Sequence, residues 1–174
     1  SGVIYVIVVA LKNEQITLKS LFIFPEKPFW KFILFRFFLL VVISIIFMYF
    51  FENEKLFIVV KKNIIFWLAL CVFYSTISVF PQEFLYRTFF FQRYHVLFKN
   101  RVLMIAVNAL FFSLAHIVFK SPLVLGITLV GGLLFAITYT KTKSLFVTSI
   151  EHAIYGSWLF TVGMGEMLAF PMPS

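Results

Sequence analysis

Apolar runs long enough to cross a lipid bilayer, separated by short polar breaks, constrain this chain more than any other feature. A helix rising ~1.5 Å per residue needs about 20 residues to cross ~30 Å of hydrocarbon. Residues 32–51, FILFRFFLLVVISIIFMYFF, meet that length with one charge. Runs of the same kind fall near 63–80, 102–119, 123–140 and 144–165, and SGVIYVIVVAL at 1–11 reads as a partial span. That first run lacks the basic leading region and small-residue cleavage site of a signal peptide. With 62% hydrophobic and 13% charged residues, the chain has far more apolar surface than a soluble domain needs. The expectation is an all-α polytopic transmembrane helix bundle of about six or more helices, forming a single integral membrane domain over residues 1–174.

The formal charge of +8 would suggest nucleic acid on a soluble protein. Here the basic residues sit mostly in short connections at 12–31, 52–62, 93–101, 120–122 and 141–143. There they set topology and meet anionic headgroups, so the expected partner is the lipid bilayer and not nucleic acid. Placing the first, third and fifth connections inside puts nine cations in the cytoplasm against four outside, and the tail MLAFPMPS outside. A single cysteine, Cys71, excludes an intrachain disulfide and a cysteine metal cluster. The glycines at 126, 131, 132, 156, 163 and 165 suit close helix packing.

An ionisable side chain inside a span is costly and requires a partner or a wet cavity. Glu83 and Arg87 stand four apart in PQEFLYR, close enough to pair on one helical face, and Pro81 suits the first position of a new helix. Asn108, Phe112 and His116 recur every four residues in NALFFSLAH, a stripe that must face something polar. Glu151 and His152 are adjacent in SIEHAIYGSW, with Gly156 four residues on. A glutamate can take a proton from water and a histidine can polarise water or steady an oxyanion, so the set suits hydrolysis.

The ordered segments PQEFLYR, FSLAH and EHAIYG resemble the CPBP family of intramembrane proteases, which includes the CAAX prenyl endopeptidases and bacterial relatives. The family pattern is Glu-Glu-x-x-x-Arg, then Phe-x-x-x-His, then His-x-x-x-Asn or a similar polar residue, and the resemblance spans roughly residues 81–156. It implies an endopeptidase acting on a membrane-anchored peptide or protein, in a membrane expected to be the bacterial inner membrane. By position it makes Glu83 and Arg87 the second acid and the arginine, Phe112 and His116 the second motif, and His152 the residue nearest the oxyanion. Gln82 stands where the family has its water-activating glutamate, and Gly156 where it has a polar residue.

An amide cannot act as a general base. The missing carboxylate would be resupplied by Glu151, or by Glu83 after a local rotation, since neighbouring helical positions differ in direction by ~100°. Glu151 has structural readings as well, an ion pair with Arg87 or a hydrogen bond to His116. No cofactor is favoured, and zinc is the metal that two histidines and a glutamate could hold. Two other classes compete. One is a catalytically silent relative serving as a binding, immunity or assembly protein, supported by Gln82 and Gly156. The other is a small transporter, which would use the carboxylates as a relay but lacks a repeat or broken-helix pair.

Overall fold

The computed structural model describes Ile23 and residues 27–165. The partial span at 1–11, most of the first basic connection and most of the C-terminal tail lie outside the described residues. All regular structure among the described residues is helical, arranged as six helices. They are α1 (Lys27–Phe51), α2 (Ile58–Lys62), α3 (Ile64–Leu97), α4 (Arg101–Leu114), α5 (Pro122–Thr142) and α6 (Leu145–Val162).

Four of these regions are long and apolar enough to cross a membrane: Phe29–Phe51, Ile64–Leu97, Arg101–Phe119 and Pro122–Thr142. Their outward faces carry large bare hydrophobics, among them Phe35, Phe38, Ile65, Val72, Val102 and Leu103. Such a surface suits hydrocarbon and would be untenable in water. The protein is an integral membrane helical bundle.

α6 is different. It carries Thr148, Ser149, Glu151 and His152, all buried, and packs against α1, α3 and α5. Polar side chains pin it there. Tyr155 Oη lies 2.9 Å from the Ile33 carbonyl, Trp158 Nε1 donates to Ser44 Oγ at 2.8 Å, and Trp67 Nε1 donates to Thr161 Oγ1 at 2.9 Å. Side-chain caps start the last three helices. Asn100 Oδ1 accepts from Val102 N, Ser121 Oγ from Val124 N and Ser144 Oγ from Val147 N, each satisfying an otherwise orphaned amide.

Two expectations fail in α3 and α4. Pro81 does not begin a helix, because α3 runs through it from Ile64 to Leu97. The continuation is achieved by π-helical turns at Tyr74–Val79 and Phe84–Phe89. A proline inside a helix removes one N–H and collides with the preceding turn, and a widened turn just before it relieves both problems. Ser75 Oγ and Thr76 Oγ1 donate to the carbonyls of Cys71 and Val72 at 2.7 and 2.8 Å, supplying donors where the ladder loosens. The Asn108–Phe112–His116 stripe is likewise not one continuous helical face. α4 stops at Leu114, and His116 sits in the following turn.

Gly132 lets α5 approach the backbone of α4 closely. A Cβ there would lie 3.2 Å from the Ala109 backbone and 3.2 Å from Phe112, which would hold α5 off α4. Gly126 meets nothing within 4 Å and lines a cavity instead.

Candidate functional site

The site is built from α3, α4, α5 and α6 around a fully buried carboxylate. Glu83 Oε2 lies 3.1 Å from Arg87 Nε, one turn further along α3, and Glu83 Oε1 lies 2.8 Å from His152 Nδ1 on α6. Neither Glu83 nor Arg87 has measurable exposure. Withdrawing ions from water costs several kcal/mol each, so every further partner matters. Arg87 donates to Asn108 Oδ1 and to the Gly132 carbonyl at 3.3 Å, and its guanidinium stands 5.1 Å from the centre of the Phe112 ring. Asn108 Nδ2 donates at 2.6 Å to the Tyr86 carbonyl inside the second π turn. Thus Asn108 joins α4 to both the arginine and the altered backbone that presents it.

Both histidines have identifiable tautomers. Phe112 O can only accept, so His116 Nδ1, 2.7 Å away, must donate to it. That bond also satisfies a carbonyl in the last turn of α4, which explains why the side chain folds back at this helix end. His152 Nδ1 donates to the Glu83 carboxylate in the same way. In each neutral ring Nε2 then carries the lone pair. The rings flank Phe112, with centroids 4.9 Å and 5.6 Å from it, and Phe135 stacks on His152 at 4.4 Å.

Both histidines line a cavity of about 550 Å³, together with Gln82, Ser78, Tyr74 and Gly156. Its remaining wall is largely apolar, including Leu40 and Ile43 of α1 and Ile127 and Val130 of α5. Gln82 Nε2 donates to Ser78 Oγ at 2.8 Å. Gln82 therefore faces the cavity, whereas the neighbouring Glu83 points between helices at His152 and Arg87. The two side chains diverge as their helical spacing requires.

Glu151 occupies a separate cluster. Its Oε1 lies 3.2 Å from Arg36 Nη1 and 3.0 Å from Tyr155 Oη, and Arg36 also donates to Thr138 Oγ1 at 3.2 Å. The ion pair that Glu151 makes is with Arg36, and neither Arg87 nor His116 takes the place expected for it. Glu151 is not among the cavity-lining residues, although Arg36 and Tyr155 are. Arg36 was missed by sequence reasoning despite a usable signal, a cation within a 20-residue apolar run. Tyr74 was missed because a tyrosine in so aromatic a chain reads as lipid-facing.

Among the described residues, no three histidine, cysteine, aspartate or glutamate side chains converge as a metal site would require. Glu83 already has one oxygen against an imidazole and the other against a guanidinium.

The family model for type II CAAX prenyl endopeptidase Rce1-like proteins matches residues 64–158, more than half of the chain. The chain belongs to that family. No curated protein matches the chain, and no solved structure does. The match runs from the start of α3 to Trp158 of α6 and contains Glu83, Arg87, His116 and His152. As an Rce1-like protein the chain falls among CAAX-type intramembrane proteases, a class whose members act in a lipid bilayer on a protein or peptide substrate.

Proposed function

We propose that the protein is an intramembrane endopeptidase that hydrolyses a peptide bond in or near a membrane-anchored segment. The supporting observation is the 2.8 Å contact between Glu83 and a histidine that lines the cavity. His152 Nε2 takes the proton of an attacking water, while Glu83 fixes the tautomer and stabilises the imidazolium that forms. His116 Nε2 accepts a second hydrogen bond from that water and orients it. The water oxygen bonds to the peptide carbon as the carbonyl π pair moves to its oxygen. That pair then re-forms the carbonyl as the C–N bond breaks, its electrons leave on nitrogen, and His152 gives the proton to the departing amine.

This reading makes Glu83 a positioning residue, because it reaches water only through His152. Glu151 is poorly placed to replace the carboxylate missing at position 82, since it lies outside the cavity wall and against Arg36. The mechanism uses no metal. CAAX-type C-terminal processing is the substrate class suggested by the family's description, and a bacterial inner membrane is the proposed residence.

The test compares membrane-protein termini by mass spectrometry in host cells carrying the wild type, His152→Ala or His116→Ala at matched expression. A defined set of termini that disappears in both variants is expected. Identical sets from folded proteins would overturn the reading. They would favour a catalytically silent binding protein, for which Gln82, an amide facing the cavity where the family pattern has a base, is the specific support.

A further inference from the structure

We infer that Tyr74 is a catalytic residue of this chain, its hydroxyl donating to the oxyanion from the place that a side chain at position 156 would otherwise occupy. This deepens the endopeptidase reading and rests on it. Gly156 lies one helical turn beyond His152 on α6, and the two share a face. A Cβ at Gly156 would overlap the hydroxyl and ring of Tyr74, so the absent side chain at 156 and the present one at 74 are alternatives for one volume.

That volume adjoins the proposed chemistry. Tyr74, Gly156 and His152 all line the cavity, and the Tyr74 ring meets His152 edge-on at 5.9 Å. The second ring contact, with Phe160 at 4.8 Å and 85°, fixes the tyrosine plane. The backbone also contributes, because Tyr74 opens the first π turn of α3, where side-chain directions depart from the α-helical sequence.

The chemistry requires such a donor. When water adds to the peptide carbonyl, negative charge collects on its oxygen, and a donor fixed in an apolar cavity stabilises it strongly. In the proposed reaction His152 is engaged with the water proton and neutral His116 presents an acceptor. Tyr74 O–H supplies a hydrogen bond to the oxyanion and keeps its proton throughout.

The experiment uses full-length protein in liposomes and a synthetic peptide spanning a cleavage position mapped from wild-type termini. Tyr74→Phe keeps the ring and its packing, and is expected to lower kcat about 100-fold with KM changed less than about twofold. Tyr74→Ala/Gly156→Asn removes the ring and places an amide donor in the vacated volume. It is expected to turn over at least about tenfold faster than Tyr74→Ala alone, a rescue that loss of packing would not produce. A kcat for Tyr74→Phe within about threefold of wild type would overturn the assignment while leaving the endopeptidase reading intact. No wild-type product above His152→Ala would overturn both.

Discussion

Glu83 and Glu151 invite comparison because they look alike by every local measure. Each is a fully buried carboxylate in the helical bundle, with an arginine at 3.1 or 3.2 Å. They differ in what the carboxylate touches next. Glu83 holds an imidazole that lines the cavity, whereas Glu151 holds Tyr155, which lies against the Ile33 carbonyl, and an arginine bound to Thr138. The first contact leads into a space that a substrate could enter. The second ties α1, α5 and α6 together. Burial with an ion pair therefore does not distinguish a reactive carboxylate from a structural one.

The largest effect expected from breaking this comparison is at Glu83. Glu83→Gln keeps the size and a hydrogen bond but no longer stabilises an imidazolium, and cleavage of the mapped peptide should fall about 10³- to 10⁴-fold with the fold retained. A loss below tenfold would mean that His152 does not act through this carboxylate. Glu151→Gln should behave in the opposite manner. Removing one member of a buried pair costs up to about 3–5 kcal/mol, so thermal denaturation in detergent should show a clear loss of stability while cleavage stays within about tenfold of wild type. Arg36→Met/Glu151→Met should recover much of that stability, because neither charge is left unpaired. The smallest effect is expected from Gln82→Glu. If His152 and Glu83 already supply the base, a carboxylate at the cavity wall should change the rate less than about threefold, and a large gain would return the role to position 82.

Much of the bundle could be read in the sequence, because lipid demands long apolar helices and punishes any other backbone. The site's polar members stood out for the same reason, as charges that hydrocarbon would not tolerate. Reading failed where the backbone departed from a regular period. Pro81 looked like a beginning because proline usually is one, and nothing local announced that Ser75 and Thr76 would cap loosened carbonyls and let the helix continue. His116 looked like part of a helical stripe, though its own bond to Phe112 O closes that helix. The Arg36–Glu151 pair joins residues 115 positions apart, so its existence depends on how α1 docks against α6. Tyr74 became visible only once Gly156 was seen to leave its volume to a neighbouring helix.

The two widened turns of α3 also determine how the chain can change length. A π turn accommodates one more residue than an α turn while keeping the helices on either side in phase. Each is thus a spare residue held within a transmembrane element. Deleting outward-facing Ile77 from the first turn would close it to α-helical pitch and keep the rotational phase of Glu83 and Arg87, at the cost of a kink at Pro81. The same deletion within Ile64–Phe73, where there is no slack, would turn everything beyond it by ~100° and send Glu83 away from His152. Within one helix, neighbouring stretches thus differ sharply in their tolerance of insertions and deletions, a property that substitution experiments alone would not reveal.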